Sequence, residues 1–303
     1  MNDRMARIAI VGVGAIGAVT AAILQQSGRH ELLLCARRPL PGLTVESLRG
    51  PVEVRAPVLV DPAAAPAVDW VIVATKAYDA AGASLWFPRL RDQGAPVAVL
   101  QNGVEHRERF APYLPSDAIV PVMVDCPAER DAPGRVRQRG PMHLRAADDA
   151  NGRAFIDLFA GTEVDAATHP DMTTVLWRKL CSNSAGILSA LLLQPAKIMH
   201  REDIAAAARE IVRECVLVGR AEGAKLADDT PEAVVRSTRA AAPDSMNSLH
   251  ADRLAGRPME IDDRNGAVIR FGLRHGIPTP CNCLAVALLR GAVSDPPNPS
   301  AAP

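Results

Sequence analysis

The segment Arg7–Ala36 reads RIAIVGVGAIGAVTAAILQQSGRHELLLCA. Residues 7–11 are mostly apolar β-formers, residues 18–26 are Ala-rich helix formers, and residues 31–36 are again mostly apolar. Gly28 stands where the helix should end. This order predicts a strand, a tight turn, a helix and a second strand, the unit from which parallel sheets with helices on both faces are built.

The turn carries glycines at the spacing GxGxxG. Gly12 permits a tight turn, Gly14 lets a diphosphate approach the backbone, and Gly17 lets the helix pack against the strand. Ala15 and Ile16 lie within this turn, and the helix that follows it offers its first N–H groups to phosphate oxygens. Because the motif follows a strand and opens a helix, it predicts a dinucleotide site; an ordinary strand–helix turn is the alternative.

The end of the next strand distinguishes between two cofactors. An NAD site places Asp or Glu there, about 20 residues past the motif, to bind the ribose 2′-OH. This chain has Arg37 and Arg38 at that point and no acid. Guanidinium groups bind phosphate through charge-assisted paired hydrogen bonds, so the sequence predicts NADP. The alternative is that both arginines are only solvated loop charges.

Polar residues follow two further apolar strands. Lys76 comes shortly after residues 70–74, and Asn102 shortly after residues 96–100. Ligands of open α/β sheets bind at the carboxyl ends of strands, so Lys76 and Asn102 are expected to face the same ligand as Gly12. A surface lysine and an ordinary Asn-Gly turn are the alternatives.

More strands are predicted at 52–56 and 118–124. Residues 135–139 and 142–145 are expected to pair as a hairpin across the Gly-Pro pair at 140–141. The alternation of strands and helices predicts an α/β, doubly wound Rossmann-like domain over residues 1–167.

The pattern then becomes helical. Helices are predicted over 172–193, 201–225 and 259–275, the last with Pro258 in its first turn and Gly276 just past its end. We therefore expect a second, all-helical domain over residues 168–292. The Pro-, Ser- and Ala-rich tail, 293–303, is predicted to be disordered.

Composition excludes several classes of protein. The chain has 303 residues, 34 Lys+Arg against 34 Asp+Glu, and only 3% aromatic residues. This charge balance lacks the basic surface that nucleic acids require, and no stretch has the length of a membrane span, so neither partner is expected. The Ala-rich helices leave two interpretations open, a homodimer interface or a core.

The six cysteines are scattered along the chain. The two that lie close together, Cys281 and Cys283, lack the two-residue spacer of metal knuckles and redox motifs. We expect reduced thiols, a cytoplasmic location and no metal site.

The second domain contains WRKLCSN at 177–183. Lys179 and Asn183 are four residues apart and share one helix face, where they could polarise a carbonyl and donate a proton to it. Further along, Ser248 precedes Glu260 by twelve residues. The alternatives are a solvated lysine and, for Glu260, an acid that complements the helix dipole.

At this point the chain resembles the ketopantoate reductase (2-dehydropantoate 2-reductase) family. The resemblance rests on GVGAIG at 12–17, TKAYD at 75–79, QNG at 101–103, WRKLCSN at 177–183 and AGRPMEID at 255–262. These elements occur in the family's order. The resemblance implies a Rossmann domain, a helical domain like the C-terminal domain of 6-phosphogluconate dehydrogenase, an active site in the cleft between them, and a small 2-oxo acid as substrate.

The resemblance also implies a role for each residue. Lys179 matches the catalytic proton donor, and Asn183 and Ser248 match substrate-binding positions. Asn102 matches an Asn that contacts both cofactor and substrate. The other cofactor contacts implied are the GVGAIG residues (Gly12, Gly14, Ala15, Ile16, Gly17) together with Arg37, Lys76 and Glu260. Ser245 is followed by Met, as in the family, but its spacing to Glu260 is wrong.

This chain departs from the family at two substrate contacts. An Asn one turn after Asn183 is missing near Ile187, and another is missing near Ala196. Each lost partner of a substrate group typically costs about 1–3 kcal/mol, so a paralogue with an altered substrate is an open interpretation. The alternatives to ketopantoate reduction are a related NADP-dependent dehydrogenase on another keto or imino substrate, and a non-catalytic NADPH-binding sensor.

Overall fold

The computed structural model describes residues 5–293, so the predicted tail lies, apart from Val293, outside the described residues. The chain divides into two units, Met1–Val175 and Leu176–Pro303. The strands of the first unit are β1 (Ala6–Val11), β2 (His30–Cys35), β3 (Thr44–Ser47), β4 (Gly50–Glu53), β5 (Val58–Leu59), β6 (Trp70–Val73), β7 (Val97–Val99), β8 (Ile119–Pro121), β9 (Met123–Asp125), β10 (Ala128–Ala132), β11 (Arg135–Gln138), β12 (His143–Ala147) and β13 (Asp165–His169).

The helices occur in both units. They are α1 (Ala15–Ser27), α2 (Ala80–Ser84), α3 (Phe87–Leu90), α4 (His106–Phe110), α5 (Ala150–Asp157), α6 (Met172–Ala185), α7 (Ile187–Leu192), α8 (Glu202–Ala221), α9 (Thr230–Ala240), α10 (Ser248–Leu254), α11 (Asn265–His275) and α12 (Pro280–Gly291). Within residues 5–293, no helix has the length and apolar character needed to cross a membrane.

The main sheet of the first unit has the strand order β5-β2-β1-β6-β7-β8, and every adjacent pair is parallel. Side chains alternate along β1: Ile8 and Ile10 pack into one apolar cluster, and Ala9 and Val11 into another. Both faces of the sheet are therefore covered, as expected for near-continuous apolar strands. The predicted α/β class with a doubly wound parallel sheet is confirmed.

The glycine turn joins β1 to α1 through contacts that only glycine allows. A Cβ on Gly17 would lie 2.0 Å from the Gly12 carbonyl oxygen. Gly12 has a φ of +99°, and a Cβ there would lie 2.6 Å from the Thr75 nitrogen. Neither position has room for a side chain. The two glycines therefore let α1 begin next to the end of β1 and close to the residues that follow β6.

The predicted hairpin between residues 135–139 and 142–145 is wrong. β11 pairs with β10 and, in parallel, with β3, whereas β12 pairs with β9 and β13. The tight turn is at Pro133-Gly134, where Gly134 has a φ of +73°. Pro133-Gly134 and Gly140-Pro141 are both typical of turns. The pairing of β11 with β3 favours the turn at Pro133-Gly134. The segment 118–124 likewise splits into β8 and β9, which belong to different sheets.

The second unit is helical within its described residues, as predicted, but the limits of the predicted helices differ. The helix predicted over 201–225 ends at Ala221. The helix predicted over 172–193 is interrupted at Gly186, between α6 and α7. The helix predicted from Met259 starts at Asn265. Glu260 is thus not in a first helical turn, so its interpretation as a dipole-complementing acid is wrong. Gly276 ends α11 with a φ of +65°, as predicted.

A buried polar network holds the loops after β6 and β7. Gln101 donates from Nε2 to Thr75 Oγ1 (3.0 Å) and to the Lys76 carbonyl (3.3 Å). The ring of His106, 1% exposed, hydrogen-bonds through Nε2 to the Gln101 carbonyl at 2.9 Å. Burial, aided by the charge of Arg109, lowers the pKa of His106 from 6.5 to about 4. The imidazole is therefore neutral at pH 7.

The glycine turn generates a paired prediction. We expect Gly17→Ala to lower the free energy of unfolding by about 3 kcal/mol, since its Cβ meets a backbone oxygen that cannot move without displacing α1. Gly14→Ala is the control, because the nearest atom to its Cβ lies at 3.9 Å and its φ is −83°. It should change stability by less than about 1 kcal/mol. Urea unfolding measures both, and equal stabilities would refute the packing role of Gly17.

His106 generates a pH prediction. Its pKa is lower in the folded state, so below pH 6.5 the unfolded chain takes up a proton that the folded chain does not. This neutral imidazole thus stabilises the fold above pH 6.5, and the stabilisation is lost as the pH falls toward 4. We expect the stability difference between wild type and His106→Gln to shrink by about 2 kcal/mol from pH 7.5 to pH 5 in urea titrations. A constant difference would contradict the burial of a neutral ring.

Candidate functional site

In the first unit, the predicted residues gather at the carboxyl edge of the main sheet. Gly12 follows β1 and contacts Thr75, whose neighbour Lys76 follows β6. The Gln101 bond to the Lys76 carbonyl ties this loop to the one that carries Asn102 after β7. Lys76 and Asn102 are both half-buried. The structure thus places Gly12, Lys76 and Asn102 on one edge, as expected for residues that follow the carboxyl ends of parallel strands.

This edge has the features that a diphosphate requires. Gly14 precedes the first residue of α1, and its missing side chain is not explained by packing, because a Cβ there would meet nothing closer than 3.9 Å. The N–H groups of Ala15, Ile16 and Gly17 lie in the first turn of α1, where no carbonyl precedes them in the helix. These N–H groups are hydrogen-bond donors that carry a partial positive charge beside Gly14, and this combination fits a phosphate.

Arg130 is a contact of this turn that the sequence did not reveal. Its Nη2 donates to the carbonyl oxygen of Val13 at 2.7 Å, across 117 residues of chain. Carbonyl and N–H of one trans peptide point in opposite directions, so this bond also fixes the direction of the Gly14 N–H. No local pattern marks Arg130, because its partner belongs to a distant strand end.

Arg37 and Arg38 follow β2 and are exposed. The Arg37 side chain is 84% exposed, and its Nη1 lies 3.8 Å from Asp79 Oδ2. An exposed pair at that distance stabilises little, so the Arg37 side chain is available to a ligand at this edge.

In the second unit, α6 carries two of the predicted residues. Lys179 and Asn183 lie one turn apart on this helix, and both are half-buried. The position one turn beyond Asn183 is Ile187, whose side chain is fully buried. It therefore offers no polar group to a substrate, as the departure from the family pattern suggested.

Two asparagines to which the sequence analysis gave no role bind backbone carbonyls at the end of α6. Asn247, just before α10, donates from Nδ2 to the Gly186 carbonyl at 3.0 Å. The buried Asn265 donates from Nδ2 to the Ser184 carbonyl at 3.1 Å. These bonds bring the starts of α10 and α11 to the α6 turn that carries Asn183.

Ser248 and Glu260 meet at a buried guanidinium. Arg264 Nη2 donates to Ser248 Oγ at 2.6 Å, and the charge of Glu260, which is 3% exposed, acts on the same guanidinium. Sequence reasoning missed Arg264, because an arginine beside two acids normally indicates an exposed turn. Within residues 5–293, no group of His, Cys, Asp and Glu has the arrangement of a metal site.

Comparison with known proteins gives consistent results over nearly the whole chain. Residues 8–149 match the family model described as Ketopantoate reductase PanE/ApbA, and residues 171–293 match the one described as Ketopantoate reductase PanE/ApbA C terminal. A 2-dehydropantoate 2-reductase of Caulobacter vibrioides is 46% identical over 95% of this chain and 99% of its own length. One of Mycobacterium tuberculosis is 41% identical over 95% and 98%.

Solved structures agree with these matches. The crystal structure of a PanE/ApbA family ketopantoate reductase from Ralstonia eutropha JMP134 superimposes with a TM-score of 0.86, at 32% identity, over 95% of this chain and 98% of that one. Its fold is therefore shared from the glycine turn to the last helices. The chain belongs to the ketopantoate reductase family.

Proposed function

We propose that this chain reduces 2-dehydropantoate to pantoate, with NADPH as the reductant. Two features of the chain support this proposal. One is a glycine turn with room for a diphosphate, and the other is a Lys-Asn pair on α6. Identity above 40% with two 2-dehydropantoate 2-reductases over 95% of the chain supports the choice of substrate.

The residues of the first unit fit NADPH. The turn residues Gly12, Gly14, Ala15, Ile16 and Gly17 would hold its diphosphate, since the space at Gly14 and the first N–H groups of α1 suit two phosphates. Arg37 would bind the 2′-phosphate, while Lys76 and Asn102 would contact the cofactor at the strand ends. Glu260 is assigned to a ribose hydroxyl. When bound, NADPH supplies the hydride that the carbonyl carbon receives.

The chain's own side chains handle the carbonyl oxygen and its proton. Lys179 donates a proton from Nζ to the oxygen as negative charge develops there, so that the alcohol forms; water then restores the lysine proton. Asn183 and Asn102 donate hydrogen bonds from their amides and orient the carbonyl. Ser248 binds another oxygen of the substrate. A small-molecule 2-oxo acid is thus the partner that these donors recognise.

Two further expectations stay predictions. The Ala-rich helices of the second unit leave a homodimer open. The cytoplasmic location rests on six cysteines without a disulfide framework, and the structure has all six as free thiols.

A related substrate is the second candidate. The fully buried Ile187 occupies a position where the family pattern has a substrate-binding Asn, so another keto or imino substrate competes with 2-dehydropantoate. NADPH oxidation with 2-dehydropantoate and a panel of 2-oxo acids decides between them. We expect the highest kcat/KM for 2-dehydropantoate. A higher kcat/KM for another acid would identify that acid as the substrate. Tight NADPH binding without turnover would indicate a sensor.

Lys179 generates the central catalytic prediction. We expect Lys179→Ala to lower kcat more than 100-fold, the usual scale of general acid catalysis, with the Kd of NADPH nearly unchanged. Steady-state kinetics and fluorescence titration of NADPH measure the two quantities. Lys225→Ala, which removes an exposed lysine of the same unit, is the matched control and should keep wild-type kcat. Wild-type turnover in Lys179→Ala would remove Lys179 from the mechanism.

The arginines after β2 generate the cofactor prediction. Wild type should turn over faster with NADPH than with NADH. We expect the double variant Arg37→Ala/Arg38→Ala to raise the KM of NADPH about tenfold or more and to leave the KM of NADH nearly unchanged, because only NADPH carries the 2′-phosphate. Arg55→Ala, at another exposed arginine of the first unit, controls for general charge loss. Faster wild-type turnover with NADH would refute the assignment of these arginines.

A further inference from the structure

Arg264 is a costly residue for the fold to bury. It is 2% exposed, and its Nε and Nη1 have no hydrogen-bond partner among the described residues. Among the described residues, the one hydrogen bond of the guanidinium runs from Nη2 to Ser248 Oγ at 2.6 Å. A buried guanidinium with unused donors normally destabilises a fold, so its retention at this position calls for a role.

Three carboxylates keep this guanidinium charged. Burial lowers the pKa of Arg264, whereas the charges of Glu260, Asp252 and Asp263 raise it. Glu260 and Asp252 are themselves buried, at 3% and 4% exposure. The second cation of the cluster is Arg257, whose Nε donates to Asp252 Oδ1 at 2.9 Å. The ion cluster thus stabilises Arg264 next to Ser248.

The hydrogen bond between Arg264 and Ser248 can form in only one direction. A guanidinium has five donors and no acceptor, so Ser248 Oγ must accept. The hydroxyl proton must then be donated elsewhere, and within residues 5–293 the structure records no hydrogen bond from this hydroxyl. Ser248 is exposed, so this O–H is directed at solvent or a ligand. Donation from a charged group also strengthens the O–H as a donor.

The surroundings of this hydroxyl are those of the candidate substrate site. Asn247, the residue before Ser248, binds the carbonyl of Gly186, and Asn265, the residue after Arg264, binds the carbonyl of Ser184. Both acceptors lie within three residues of Asn183. The Arg264–Ser248 pair is therefore anchored on both sides to the turn of α6 that bears the Lys-Asn pair.

We propose that Arg264 is a positioning residue that commits Ser248 to donate its hydroxyl proton to the carboxylate of the 2-oxo acid. This rests on the proposed function, since it assigns one contact of the same substrate. A carboxylate is an acceptor-only group, which matches a hydroxyl whose lone pair is already engaged by a cation. Arg264 thereby sets specificity for acids over neutral ketones.

Binding without turnover tests the proposal. The probes are 2-dehydropantoate and its neutral lactone, 2-dehydropantolactone, titrated by calorimetry into protein saturated with NADP⁺. We expect Arg264→Met to raise the Kd of the acid about tenfold or more and that of the lactone less than twofold. Ser248→Ala should do the same, and the double variant should add nothing, because the two residues act through one hydrogen bond. Arg264→Lys, which can still donate to Ser248 Oγ, should recover part of the affinity.

The controls separate positioning from folding. Arg257→Met removes the other cation of the cluster, does not touch Ser248, and should bind the acid as wild type does. If Arg264→Met does not fold, Ser248→Ala at its exposed position and Arg264→Lys still have to give the selective loss and the partial recovery. Equal losses for acid and lactone, or additive effects in the double variant, would overturn the proposal.

Two failures are distinguishable. Wild type that binds NADP⁺ but neither probe would overturn the proposed function itself, and this inference with it. Wild type that binds the acid while folded Arg264→Met binds it equally well would overturn only the role of Arg264.

Discussion

The close approach of Gly17 to the carbonyl of Gly12 fixes the architecture of the first unit. With 2.0 Å between that oxygen and the place of a Cβ, only glycine lets α1 begin directly beside the end of β1. The first turn of the helix then lies at the carboxyl edge of the sheet, where the loops after β6 and β7 also begin. The orientation of the donors in α1 depends on this contact, while the Gln101 bonds tie the loops of Lys76 and Asn102 to each other.

Three polar side chains, of which Gln101 and His106 are buried, reinforce that edge. Gln101 joins two strand-end loops, the neutral His106 holds Gln101, and Arg130 holds the Val13 carbonyl. Each uses a side chain to fix the backbone of a loop, whose own peptide groups cannot all pair within the sheet. These bonds restrict the loops before any ligand binds, which lowers the cost of ordering them on binding.

The second unit fixes its polar groups around the end of α6. Gly186 interrupts the helix there, and its carbonyl is taken by Asn247, while Asn265 takes the carbonyl of Ser184. The break between α6 and α7 thereby gains donors that an uninterrupted helix would not need. The same region holds Lys179 and Asn183 and, through Arg264, Ser248. Its chemistry is that of donors, suited to a substrate rich in acceptor oxygens.

Local patterns predicted the parts of this fold that local physics decides. The β1–α1–β2 unit, the parallel sheet and the helix end at Gly276 follow from apolar periodicity and from glycine at a left-handed position. The hairpin error arose where the Pro-Gly and Gly-Pro pairs at 133–134 and 140–141 signal turns equally well and a distant strand, β3, decides. Propensity placed the start of one helix at Met259, just after Pro258, but the chain around the buried Glu260 stays irregular until α11 begins at Asn265.

The sequence predicted the candidate site only at the residues that we propose to contact a ligand. Lys179, Asn183 and the glycine turn carry motifs, because their chemistry demands particular residues at particular spacings. Arg130 and Arg264 bind other protein groups, Arg130 across 117 residues of sequence. In the sequence, the buried Arg264 cannot be distinguished from a surface arginine. Such positioning contacts become visible only when the chain is folded.

The fate of a label gives the decisive measurement. The protein is mixed with 2-dehydropantoate and NADPH that carries deuterium at both C4 positions of the nicotinamide, and the product is analysed by mass spectrometry and NMR. We expect pantoate with one deuterium, bound to C2. Pantoate without deuterium, or NADPH binding with no pantoate formed, would contradict reduction by this chain.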